Sequence, residues 1–238
     1  MNLHTGHHDT KNCENCQLRE PGMFCDLPKN GMEAFRSSKH TSTYPAGTFL
    51  YFEREANRGI YVICSGQVKL SVSSSAGKTL ILKIAKPGDL LGLSSTLTDT
   101  PYEATAEVLQ TARVTYLRAE DFRALIAKYP QAYSSVIRQL NLQYESACEQ
   151  LRTLALCNST TEKLARLLLR WSSQGRQTPE GTQFNVPLTH EQIAECVGAT
   201  RETVTRTLGD FKRRRLIALH GASMVIPNRR ALETVSGS

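Results

Sequence analysis

Arg201, Glu202, Thr205 and Arg206 fall within the first two turns of a helically spaced segment, RETVTRTLGDFKRRR, and at 3.6 residues per turn they share one side. Guanidinium, carboxylate and hydroxyl groups are what reads base edges in a major groove: Arg pairs bidentately with guanine, and Glu accepts from the cytosine amino group. A helix that only gripped phosphate would gain nothing from Glu202, so the pattern favours base reading over charge attraction. Lys212 and Arg213 lie two turns further along, where positive charge suits phosphate. A second constellation sits near the start of the chain, where Cys13 and Cys16 form Cys-x-x-Cys, with Cys25 following and His4, His7 and His8 nearby. Two thiolates at that spacing can grip one metal ion or iron-sulfur cluster, and Cys25 could add a third ligand. A polar tail with free thiols is the alternative, because a lone Cys-x-x-Cys is a weak signal.

The elements that must position the first group are legible around it. Thr189 stands where a helix needs an N-cap, and Gln192, three residues on, can complete a capping box. Ile193, Ala194 and Val197 then share a face, Gly198 suits the exit from the helix, and Ala199 and Thr200 make a turn. Thr200 caps a second helix whose buried side is Val204, Leu208 and Phe211. Beyond the basic end, Leu216 to Leu219 and Met224 to Ile226 face each other across His220-Gly221-Ala222-Ser223 as a hairpin wing. Taken alone, the second segment reads as an amphipathic helix with a solvated charged face. The whole unit favours a winged helix-turn-helix, with Thr189, Arg201, Glu202, Thr205, Arg206, Lys212 and Arg213 at duplex DNA. His190 reads as a polar surface residue.

Upstream the texture differs. From Thr43 to about Leu117, alternating stretches such as Val68-Leu70-Val72 and Leu80-Leu82-Ile84 are separated by turns at Gly47, Gly59, Gly66, Gly77, Gly88 and Gly92, with SSSAGK as a hairpin tip. Strands of five or six residues at that spacing predict an antiparallel β-barrel or jelly-roll. Cys64 reads as a small buried or half-buried strand residue. After Pro130 comes a helix whose Val136, Leu140, Gln143, Ala147, Leu151 and Leu154 recur at threes and fours, flanked by charges. That seam predicts a two-stranded coiled coil, hence a homodimer reading a palindromic site, although packing within one chain would give the same spacing. The fold class is α+β. Its predicted parts are a tail (residues 1–30), a β-barrel sensor (31–120), a dimerisation helix region (121–157) and a winged helix-turn-helix (158–238).

Composition narrows the function classes. The 238 residues, 40% of them hydrophobic, suit two modest globular domains, and the net charge of +7 suits a polyanion partner. Much of that charge lies near the end, in Arg201, Arg206, Lys212, Arg213, Arg214, Arg215, Arg229 and Arg230. No run of eighteen apolar residues and no signal-peptide core occur, so no membrane partner and a cytoplasmic location are expected. Seven cysteines, an odd number, argue against a disulfide framework. No nucleophile elbow, phosphate-binding glycine loop or His-Glu-x-x-His helix is present, so the chain does not read as an enzyme. A redox or metal-binding protein, with DNA binding secondary, is the competing class.

With β-barrel, long helix and winged helix-turn-helix in that order, the chain resembles the cyclic-AMP receptor and fumarate-nitrate reduction (CRP/FNR) superfamily of bacterial regulators over nearly its whole length. Arg201-Glu202-Thr203-Val204-Thr205-Arg206 resembles the family recognition helix, and KPGDLLGL from Lys86 resembles the turn after the central strands. The resemblance implies a transcription regulator that contacts RNA polymerase. In its cyclic-nucleotide binders an Arg-Ser pair holds the phosphate and a Gly-Glu-Leu turn the ribose. Here Gly92-Leu93-Ser94 lacks the acid, and Tyr102-Glu103 replaces Arg-Ser, so cyclic AMP is not expected to bind tightly. The oxygen-sensing branch ligates an iron-sulfur cluster through N-terminal cysteines and one in the barrel. Cys13, Cys16 and Cys25 resemble the first set, with a longer gap to Cys25. Thr115 stands in the place of the barrel cysteine, for which Cys64 could substitute only if the fold brings it near.

Overall fold

The structure is a computed structural model that describes residues 27–173, 175–220 and 223–237. Cys13, Cys16 and Cys25 therefore lie outside the described residues. By its contacts the chain divides into two units, Met1–Val72 with Lys83–Glu145, and Ser73–Leu82 with Ser146–Ser238.

The first unit is built on an antiparallel sheet. A short helix, α1 (Lys29–Ser38), precedes β1 (Lys39–Tyr44), β2 (Phe49–Tyr51), β3 (Gly59–Ser73), β4 (Thr79–Ala85, whose residues up to Leu82 count with the second unit), β5 (Leu90–Leu91) and β6 (Thr105–Arg118), with α2 (Leu93–Thr98) between the last two. The hydrogen-bonded order is β1-β6-β3-β4, with β2 also on β6 and β5 on β3, so the barrel-like jelly-roll expected from the sequence is an unclosed sheet. The expected short strands are a correction: β3 runs for 15 residues and β6 for 14. Gly59 and Gly66, read as turns, both lie inside β3. Gly66 has φ +80, and a Cβ there would strike the Thr111 carbonyl and Ala112, while the β3–β6 register shifts around Ser65 and Gln67. The glycine thus marks β-bulges that bend one long strand.

Alternation along β3 feeds two apolar layers. Ile60 and Val62 join Leu117, Phe122, Leu125, Ile126, Tyr129 and Val136 on the side covered by α1, by α3 (Ala119–Lys128) and by the start of α4 (Gln131–Leu156). Tyr61 and Ile63 face the other way, with Tyr51, Val68, Leu91, Tyr102 and Val114.

Helix α4 confirms the long helix and corrects the first part of the predicted seam, while Ala147 and Leu151 of that seam are exposed. Val136 is 3% exposed and belongs to the sheet's own core, and Gln143 donates from Nε2 to the Leu90 carbonyl at 2.9 Å. The large apolar side chains left outside are Tyr133, Ile137, Leu142, Tyr144, Leu151 and Leu156, among which Ile137, Tyr144 and Leu151 fall at intervals of seven. Around the middle of the helix the stripe is therefore turned by one residue, from Val136 and Gln143 to Ile137 and Tyr144.

The second unit holds α5 (Thr160–Ser172), β7 (Arg176–Thr178), β8 (Gly181–Asn185), α6 (His190–Val197), α7 (Arg201–Arg213), β9 (Ala218–His220), β10 (Ser223–Ile226) and α8 (Arg229–Val235). Ser159 caps α5 by accepting from the Glu162 backbone N–H at 3.1 Å. The wing is larger than the predicted hairpin. Strands β9 and β10 pair as expected, and β8 and β7 extend them to a four-stranded sheet in the order β7-β8-β10-β9. The polar runs RQT and GTQFN gave little periodic signal for those two strands.

Candidate nucleic-acid interface

Helix α6 is fixed at both ends, and α7 at its start, by the chemistry their sequence supplies. The Thr189 hydroxyl accepts from the Gln192 N–H at 3.2 Å, and the Gln192 side chain accepts from the Thr189 N–H at 3.0 Å, completing the capping box. Gly198 closes α6 at φ 65 and ψ 38, a left-handed conformation that favours glycine. The Thr200 hydroxyl then accepts from the Thr203 N–H at 3.3 Å and starts α7. Ile193, Ala194 and Val197 of α6 and Val204, Leu208 and Phe211 of α7 are buried, and α5, α6 and α7 touch one another pairwise.

That burial settles what α7 exposes. Arg201, Glu202, Thr205, Arg206, Lys212 and Arg213 all lie on its solvent side, as does Thr189 at the start of α6. Arg201, Arg206 and Lys212 make no ion pair among the described residues. Hydrogen bonds from its own backbone N–H and from the Thr200 hydroxyl hold the Glu202 carboxyl below the usual carboxylate range, so it is an ionised acceptor. Arg213 differs from Lys212. It donates to Asp210, which also accepts from Arg214 at 3.3 Å, so one carboxylate holds two of the cations in the helix's last turn.

Two further contacts in this unit were not readable from the chain. His190 is exposed, as expected of a polar surface residue, and its Nδ1 lies 2.8 Å from the Thr205 hydroxyl, fifteen residues away on α7. Gln150, on α4 and 5% exposed, donates from Nε2 to the Cys196 carbonyl at 3.0 Å and to the Ile81 carbonyl at 3.3 Å, and it accepts from Arg170 at 3.1 Å. Cys196 is in the last turn of α6, where carbonyls lack helical partners, so Gln150 satisfies one of them from outside the helix.

In the first unit, the inner side of the sheet is filled by its own aromatic side chains. Tyr102 is 2% exposed and stacks on Tyr51 with ring centroids 3.8 Å apart. Its hydroxyl donates to the Gly59 carbonyl at 2.8 Å and accepts from the Gly59 and Arg58 N–H groups, each at 3.2 Å. The ring also lies against Gly92, where an added Cβ would come within 2.7 Å of it. Glu103 accepts from the Ser95 hydroxyl. Burial pushes the phenols of Tyr51, Tyr61, Tyr102 and Tyr116 up, so they remain neutral.

Cys64 is a half-buried residue of β3. Its Sγ lies 3.3 Å from the Thr115 hydroxyl on β6, which is itself 2.8 Å from the Thr41 hydroxyl on β1. The fold thus brings Cys64 beside the position where the resemblance places the barrel cysteine. Among the described residues no cluster of three or more His, Cys, Asp or Glu side chains is arranged to hold a metal ion. Nor, among them, is any helix long and apolar enough to cross a membrane.

A capped helix-turn-helix with a paired wing, following a jelly-roll sheet and a long helix, defines a DNA-binding regulator with a sensor domain, not an enzyme. Residues 162–235 match the Crp-like helix-turn-helix domain, and residues 41–129 match the cyclic nucleotide-binding domain. The chain is a transcriptional regulator of the CRP/FNR family. It is 27% identical over 216 residues to the CRP-like cAMP-activated global transcriptional regulator of Mycobacterium tuberculosis, covering 90% of this chain and 96% of that one. To the global nitrogen regulator of Synechococcus elongatus it is 26% identical over 193 residues, 79% of this chain and 86% of the other. Its fold is shared with FixK2 of Bradyrhizobium japonicum at a TM-score of 0.75 and 20% identity, covering 84% and 98% of the two chains.

Proposed function

We propose that this protein is a cytoplasmic, sequence-specific regulator that binds a palindromic duplex site as a homodimer and acts on RNA polymerase. The observation that carries the base-reading part is the exposed side of α7, where Arg201, Glu202, Thr205 and Arg206 stand on a helix capped by Thr200 and held by a buried Val204-Leu208-Phe211 face. Thr189, Lys212 and Arg213 flank it and serve phosphates. The exposed stripe of α4 supports the dimer, since Tyr133, Ile137, Tyr144 and Leu151 are apolar surface that a second copy would cover.

The signal is not cyclic AMP. Tyr102 supports this reading: it brings a phenol and no guanidinium to Gly92, it is anchored at Gly59, and the adjoining Glu103 is an acid that would repel a phosphate. The relative in Mycobacterium tuberculosis is described as cAMP-activated, so the two chains should differ in effector. Selecting bound duplexes from a random pool, with and without oxygen and with and without cyclic AMP, tests the proposal. A palindromic consensus that is indifferent to the nucleotide is expected. Binding with no consensus would remove the reading.

A redox or oxygen signal through Cys13, Cys16, Cys25 and Cys64 is the second reading, favoured by the position of the Cys64 thiol beside Thr115. An iron-sulfur cluster or another metal held by these thiolates would supply the redox chemistry. Iron, zinc and acid-labile sulfide measured in anaerobically purified protein, and in Cys64→Ser, decide it. No metal in the parent protein would remove it.

A further inference from the structure

The polar side of α7 carries one contact that does not belong to α7. Thr205 is exposed between Glu202 and Arg206, and its hydroxyl is held at 2.8 Å by Nδ1 of His190, the first residue of α6. A threonine in a helix commonly turns its hydroxyl back onto the carbonyl four residues earlier. Thr207, two positions on, does so, bonding to the Thr203 carbonyl at 2.8 Å. Thr205 instead reaches sideways to α6. His190 is held firmly enough to keep it there, because the capping box of Thr189 and Gln192 fixes the backbone on either side of the imidazole.

A hydroxyl has one proton to donate and two lone pairs to accept with, so a free threonine meets base donors and acceptors alike. We propose that His190 is a specificity-determining positioning residue. Its Nδ1 accepts the hydrogen bond of the Thr205 hydroxyl, so that only the oxygen's lone pairs face the groove and Thr205 reads the amino group of adenine or cytosine. This rests on the reading of α7 as the base-reading helix and assigns one of its four side chains a fixed polarity. Without His190, the hydroxyl turns freely or folds back onto its own helix, and keto and amino edges become equivalent to it.

The test is base preference, measured as competition between a selected duplex and its single-base variants, for wild type, His190→Ala, His190→Asn, Thr205→Val and Arg206→Ala. One position of each half-site should prefer adenine or cytosine on the contacted strand. Losing one net hydrogen bond corresponds to about three- to tenfold, so His190→Ala and Thr205→Val should each relax that position by this amount and leave the others unchanged. The amide of His190→Asn reaches about as far as Nδ1 and should restore much of the preference, which a merely structural role for the ring would not require. If the Thr205-dependent position prefers guanine or thymine, or if His190→Ala keeps full preference while Arg206→Ala loses its own, the proposal is overturned and the base-reading helix stands. If neither Thr205→Val nor Arg206→Ala changes any base preference, both fall together.

Discussion

Replacing Ile137 by alanine on α4 distinguishes the exposed stripe from the buried side of the same helix. Ile137 is 64% exposed in the single chain, and its neighbour Val136 only 3%. Ile→Ala removes three carbons, worth about 0.8 kcal/mol each when fully buried. Scaled by the fraction that a partner has left to cover, each chain loses about 1.5 kcal/mol and a symmetric dimer about 3 kcal/mol. At 1.4 kcal/mol per tenfold, the dimer dissociation constant should rise by roughly a hundredfold. Sedimentation velocity over a concentration series, with and without a palindromic duplex, reads this directly. Val136→Ala should behave in the opposite way, lowering thermal stability by about 1 to 2 kcal/mol through the core it shares with Phe122 and Leu125 while leaving dimerisation nearly unchanged. Wild-type protein that stays monomeric on DNA, or a Val136→Ala effect on association larger than that of Ile137→Ala, would refute the reasoning.

Other substitutions separate the roles on α7 and behind it. Arg206→Ala should cost about 1 to 3 kcal/mol at the preferred site and relax one position of each half-site, whereas Lys212→Ala should weaken all duplexes alike and lower the salt slope by about one per contact. Asp210→Asn should strengthen binding to every sequence and steepen the salt slope, because one carboxylate now restrains Arg213 and Arg214; these exposed pairs add at most about 1 kcal/mol to folding, so stability should hardly change. Gln150→Ala leaves the Cys196 carbonyl and an Arg170 N–H without their buried partner and should destabilise the second unit by about 2 to 4 kcal/mol, measured by urea unfolding.

The amino-acid order alone determined the helix-turn-helix, because everything that defines it is local. A cap and its partner are three residues apart in both Thr189-Gln192 and Thr200-Thr203, Gly198 takes a conformation that favours glycine, and the apolar positions repeat within one turn. The order of sheet, long helix and helix-turn-helix followed as well, but the strand lengths did not, since β3 and β6 run on where short strands were expected. Tertiary structure decided what depended on partners far along the chain. Neighbouring residues on a helix point about 100° apart. Spacing alone could not say whether Val136 or Ile137 faces outward, and the sheet's core took Val136. Gly66 announces an unusual backbone, but only pairing with β6 makes it a bulge instead of a turn. Cys64 and Thr115 are 51 residues apart, Tyr102 and Gly59 are 43, and His190 and Thr205 are on different helices. No periodicity records such pairs, since each exists only once two elements have been packed against a common core.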